Sequence, residues 1–179
     1  MPVITTTRRG FMQLSATSAA ALTVGASFAS LTGCSKTPPA NGFKVLRPTD
    51  LKILATLAPV LLKGGYPGPL ADQAEPRLLH ELDRLIGTLQ DYSKGQLVLL
   101  LDTLNVAPIR LAMGAPWKQW NEMSAEEIES FLENWKTSSI QLKRMGYASL
   151  AKLFAMCWYK QPENFVLSGY PGMPKRIIG

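Results

Sequence analysis

The sequence predicts an all-α fold: an irregular bundle of about five helices behind an N-terminal signal and a flexible tether. Three observations predict it. Apolar residues recur at three- and four-residue intervals through most of the chain after Pro48. Gly and Pro clusters break these runs into helix-sized pieces. No stretch alternates apolar and polar residues convincingly enough to read as a strand.

At the start, Thr7-Arg8-Arg9-Gly10-Phe11-Met12-Gln13 resembles the twin-arginine export consensus, a signal suited to proteins that cross a membrane already folded. Arg8, Arg9 and Phe11 carry the match. Leu14 to Gly33 contains no charge and is rich in Ala, Ser, Thr and Gly. Its length approaches the roughly 20 residues of a bilayer span, but its weak apolarity and basic flank favour a removable signal. Leu31-Thr32-Gly33-Cys34 resembles a lipobox, with Cys34 as the lipidated residue of the processed chain. Residues 1–33 thus read as signal peptide, 34–47 as a lipidated Pro/Gly/polar tether and 48–179 as the folded domain. The product is expected on the periplasmic face, held to a membrane by acyl chains and not by a spanning helix.

The domain's elements follow in order. Pro48-Thr49-Asp50 opens a helix, with Thr49 or Asp50 as cap and Leu51, Leu54, Ala55, Ala58, Leu61 and Leu62 as its apolar face; Pro59 predicts a kink. Gly64-Gly65-Tyr66-Pro67-Gly68-Pro69 ends it, with Pro67-Gly68 as the centre of a type II turn. A second helix spans about Glu75 to Gln90, its stripe Leu78, Leu79, Leu82, Leu85, Ile86 and Leu89, with Arg77, Glu81, Asp83 and Arg84 on its polar side. Leu97 to Leu104 is apolar nearly all round and reads as a central helix ending before Pro108. Pro116 to Trp120 is an aromatic connection into Ser124-Ala125-Glu126-Glu127, a capping box, after which Ile128, Phe131, Leu132 and Trp135 form a stripe. The last long helix runs from about Ser139 to Lys160, with Tyr147, Leu150, Phe154 and Trp158 on one side and Leu153, Met156 and Cys157 widening the arc. Ser168 to Pro174 is a second Pro-Gly turn.

Little of this points to catalysis. The single histidine, His80, sits among Arg77, Glu81 and Arg84 and reads as a solvated side chain. There are two cysteines; with Cys34 assigned to lipid, Cys157 at apolar spacing reads as a small core residue. These counts exclude a Cys/His metal site, a haem-attachment motif and a disulfide framework, and no Gly-x-Gly-x-x-Gly follows a strand. Glu126, Glu127, Glu129 and Glu133 read as a solvated capping face. Past residue 33 the chain carries 17 basic and 13 acidic residues, scattered and not clustered, so nucleic acid is not an expected partner. What stands out is an aromatic surplus toward the C-terminus, which predicts a protein interface.

Trp135 to Gly172, WKTSSIQLKRMGYASLAKLFAMCWYKQPENFVLSGYPG, is similar to the C-terminal half of the small subunit of membrane-associated, flavin-dependent dehydrogenases of the gluconate 2-dehydrogenase subunit 3 type. The likeness lies in Trp135, Arg144-Met145-Gly146-Tyr147, Trp158-Tyr159-x-x-Pro162, and Gly169-Tyr170-Pro171-Gly172, together with the twin-arginine start. It covers about the last 60 residues well, and the middle of the chain only in helical character. The resemblance implies a non-catalytic subunit with no cofactor of its own. Its expected partners are a large FAD-containing subunit of the glucose-methanol-choline oxidoreductase type, often with a cytochrome c subunit, and the twin-arginine translocase during export. It implies partner contacts at Trp135, Arg144, Tyr147, Trp158, Tyr159, Tyr170, Pro171 and Gly172. A stand-alone helical lipoprotein with a binding or structural role is the alternative.

Overall fold

Arg47 and Asp50 start the first helix. The Asp50 carboxylate accepts the Arg47 backbone N–H at 2.9 Å and receives the Arg47 guanidinium as a two-pronged fork at 2.7 and 2.8 Å. In the computed structural model, which describes residues 37–172, this opens α1 (Pro48–Leu61). There follow α2 (Ala74–Gly87), α3 (Asp91–Asn105), α4 (Ala107–Ala112), α5 (Ala125–Lys136), α6 (Gln141–Tyr159) and α7 (Phe165–Ser168), with short 3-10 turns at Gly68–Gln73, Trp120–Glu122 and Pro162–Asn164. The described residues are thus all-helical, with five long helices and two short ones and no strand among them.

The central helix is α1, not the Leu97–Leu104 segment. It packs against α2, α3, α5 and α6, and Ile53, Leu57 and Ala58 are fully buried. Of the expected stripe, Leu54, Ala58 and Leu62 are buried while Leu51, Ala55 and Leu61 are only partly so, and Ile53, Leu57 and the Arg47-paired Asp50 complete the inward face. The helix continues through Pro59 and stops two residues later. Helix α3 buries Leu97, Leu101 and Leu104 on one side and leaves Leu99 exposed on the other. Pro108 stands in the first turn of α4, where a missing N–H costs nothing. Pro67 has ψ near −3°, so Pro67-Gly68 is not a type II turn; Gly68 instead opens a 3-10 turn with φ of 55°.

Two local expectations hold closely. Ser124 Oγ accepts the Glu127 N–H and Glu127 returns a carboxylate oxygen to the Ser124 N–H, a complete capping box ahead of α5. The α5 stripe Ile128, Phe131, Leu132 and Trp135 is buried throughout. At the other end, Gly169 takes a left-handed φ of 68°. Its N–H reaches the Val166 carbonyl while that of Tyr170 reaches Phe165, a Schellman close on α7.

The segment expected to be a loose tether is fastened from residue 40 onward. Ala40 donates to the Leu46 carbonyl, and Phe43 stacks flat on His80 with ring centroids 4.5 Å apart. Asp83 of α2, only 5% exposed, accepts the backbone N–H groups of Lys44, Val45 and Leu46, each at 2.9 Å. The sequence places this carboxylate on the polar side of its helix; it is instead the buried clasp of this segment.

Candidate functional site

The export residues Arg8, Arg9 and Phe11 and the lipidation residue Cys34 lie outside the described residues. The eight expected partner contacts do not all reach the surface. Trp135 and Trp158 are fully buried, and this corrects their assignment to an interface. Each spends its one indole donor on a distant backbone carbonyl: Trp135 on Met113 at 3.0 Å and Trp158 on Gly65 at 3.0 Å. Trp120 does the same with Leu104 at 3.1 Å. A large ring whose polar handle is satisfied inside the chain closes a core and has nothing left to offer a partner. Gly146 supplies the room for the Trp135 ring, which a Cβ there would approach to 2.7 Å, and Gly65 does the same for Tyr159, whose hydroxyl a Cβ would meet at 2.7 Å.

Of the others, Tyr147 and Tyr159 are half-buried against the core. Arg144 is exposed and donates to the Ser138 carbonyl, bracing the loop before α6. Tyr170 and Pro171 are exposed, with Tyr170 packed edge-on against Phe165, and Gly172 has φ of 93°.

The open apolar surface lies elsewhere, along α3 and α6. Helix α6 carries two adjoining stripes. Gly146, Leu150, Phe154, Cys157 and Trp158 face inward; Leu142, Met145, Ser149, Leu153 and Met156 recur at intervals of three and four on the next face. Leu142 is 69%, Met145 57% and Met156 49% exposed. Between α6, α3 and the end of α2 runs a groove of about 540 Å³ lined by Leu85, Leu89, Leu97, Leu100, Leu153 and Met156. Tyr92, Ser93, Gln96, Ser149 and Lys152 complete its lining, and Lys152 is the one charged residue among them. The signal for this face was present in the sequence, since Leu153 and Met156 widened the arc of α6. Periodicity alone does not say which of two apolar stripes turns inward.

Three of the four carboxylates of the α5 cluster are paired with lysines. Glu127 pairs with Lys118 at 2.6 Å, which together with the Ser124 N–H holds its carboxyl below the usual range; Glu129 pairs with Lys63 and Glu133 with Lys136. His80 is exposed beneath Phe43. Cys157 is fully buried, and burial pushes its thiol up to about 11, leaving it neutral and poorly nucleophilic at neutral pH. Among the described residues, no three His, Cys, Asp or Glu side chains gather as a metal site, and no helix is long and apolar enough to cross a membrane. Comparison of the chain with protein-family models, with curated proteins and with solved structures finds no match.

Proposed function

We propose that the chain is a non-catalytic small subunit that carries a flavin-dependent dehydrogenase of the glucose-methanol-choline type through the twin-arginine route, stabilises it, and anchors it to a membrane through Cys34. The observation that carries this reading is the groove of α2, α3 and α6 with its flanking row Leu142, Met145 and Met156. A rimmed apolar surface of this kind suits a large partner better than solvent. The twin-arginine pattern supports it too: a folded-protein signal on a small helical chain makes sense when the passenger is a cofactor-loaded partner. The likeness of residues 135–172 to the dehydrogenase small subunits supplies the partner's class.

The test is native capture of the full chain from detergent-solubilised membranes, reading flavin absorbance and the mass of co-purifying proteins. A flavoprotein without a signal peptide of its own is the expected companion, and a colourless monomer refutes the reading. The variants Met145→Glu and Met156→Glu place charges on exposed positions, so they should abolish capture while leaving the chain's melting temperature within about 2 °C.

A further inference from the structure

Among the described residues two arginines are buried, and they differ in one respect. Arg47, 6% exposed, meets Asp50 at 2.7 Å and Asp102 at 2.6 Å, so its charge is fully matched. Arg110, 5% exposed, has no carboxylate within ion-pairing distance among the described residues. It sits in the last turn of α4, its guanidinium carbon 5.4 Å from the centre of the Trp120 ring, with Nη2 donating to the Lys118 carbonyl. Its Nε is enclosed with no hydrogen-bond partner among the described residues. Folding has therefore taken a guanidinium out of water without supplying an anion, an arrangement that costs stability unless something else supplies one. Desolvation pulls the Arg110 pKa down, in keeping with that cost, although a guanidinium stays charged at physiological pH.

Arg110 borders a cavity of about 380 Å³ whose other walls are Ala107, Trp117, Lys118, Gln119 and Glu122. That volume suits a small ligand. The two other charges at its wall are committed elsewhere: Lys118 Nζ to Glu127 at 2.6 Å, and a Glu122 oxygen to the Gln119 N–H at 3.1 Å. Trp117, 67% exposed, is the one tryptophan of the chain not folded inside. From this setting we infer that the cavity is an anion site taking a carboxylate on a flat apolar body, with Arg110 holding the carboxylate and Trp117 covering the body. A guanidinium presents its N–H groups in a fork that matches a carboxylate. With Lys118 paired to Glu127, one unmatched positive charge in a wall that also holds Glu122 suits a monoanion better than a phosphate dianion. The site stands apart from the subunit reading, because it follows from the surroundings of Arg110 whatever the chain's partner is.

The test uses the full chain in detergent, titrated with benzoate, with its neutral isostere benzamide and with inorganic phosphate, following the melting temperature and tryptophan fluorescence. Benzoate should saturate and raise the melting temperature by about 5–10 °C at a hundredfold excess over Kd, with benzamide and phosphate without comparable effect. Arg110→Met removes the charge but keeps the bulk. It should melt no lower than the parent chain in carboxylate-free buffer and lose the benzoate response. Glu122→Gln removes the opposing charge and should tighten benzoate binding. The site is overturned if benzoate has no saturable effect, or acts equally on Arg110→Met, or is matched by benzamide. It is overturned too if Glu122→Gln lowers the melting temperature and abolishes the response, since Glu122 is then the counter-ion. Where a captured partner is in hand, its displacement by benzoate assigns the natural carboxylate to that partner. Benzoate binding with the complex intact assigns it to a free small carboxylate, and either result upholds the site.

Discussion

Replacing Asp83 by Ala probes how the segment before α1 is held. In the folded chain its two oxygens accept three backbone N–H groups, those of Lys44, Val45 and Leu46, each at 2.9 Å, from a side chain almost out of solvent. Hydrogen bonds to a charged acceptor contribute about 1.5–3 kcal/mol each. They are not additive here, since the amides of Lys44 and Val45 are only part-buried and regain water when the carboxylate is gone. The loss is therefore about 3–4 kcal/mol for the set. Leu46, 1% exposed, continues to hold the segment through its own burial, by about 2 kcal/mol. A domain with about 5–15 kcal/mol of stability survives the change. Asp83→Ala should thus fold, melt about 10 °C lower, and lose about 150- to 700-fold of hydrogen-exchange protection at the amides of residues 44–46. Asp83→Asn should fall between, because its NH2 faces one backbone donor that the carboxylate had accepted. If Asp83→Ala keeps protection at those amides within about threefold and melts normally, the clasp has been misread.

Two further outcomes test the core. Gly146→Ala gains about 1 kcal/mol of helix propensity but drives a methyl to 2.7 Å from the enclosed Trp135 ring, so overpacking of about 1–3 kcal/mol should dominate and calorimetry should show net destabilisation; a rise in melting temperature refutes that packing. For Cys157, the folded thiol ionises near 11 while the unfolded thiol ionises near 9, so its contribution is complete below about pH 9 and is lost as pH rises toward 11. The loss amounts to about 3 kcal/mol. Denaturant unfolding across that range should show the alkaline decline in the parent chain and a shallower one in Cys157→Ala, with Tyr66, whose pKa burial also raises, contributing to the residual slope; equal slopes refute it.

Legibility in the sequence followed the range of the interaction involved. The α5 stripe and the Ser124–Glu127 box involve partners three or four residues apart, and both stand as read. Asp83 could not be assigned from its own helix, because its partners lie 37 to 39 residues earlier in a segment without periodicity. The tryptophans show the same divide. Their abundance was visible and pointed to an interface, whereas the carbonyl that satisfies Trp158 lies 93 residues away. Arg110 lay in no motif, and its burial depends on the chain from Ala115 to Trp120 folding back over α4.

By itself the sequence determined that the chain is helical, where its helices are punctuated, and that it carries too much apolar surface for one stripe per helix. Those properties arise from periodicity, capping and the stiffness of Pro and Gly, all acting within a few residues. Only the tertiary structure decided that α1 is the centre, that Trp135 and Trp158 belong to the core, and that Leu142, Met145 and Met156 stay outside. When a helix has two apolar stripes, the one buried is the one whose shape fits its neighbours. Here Gly146 admits the Trp135 ring on one side of α6, and the other side is covered only at Leu153, leaving Leu142, Met145 and Met156 exposed.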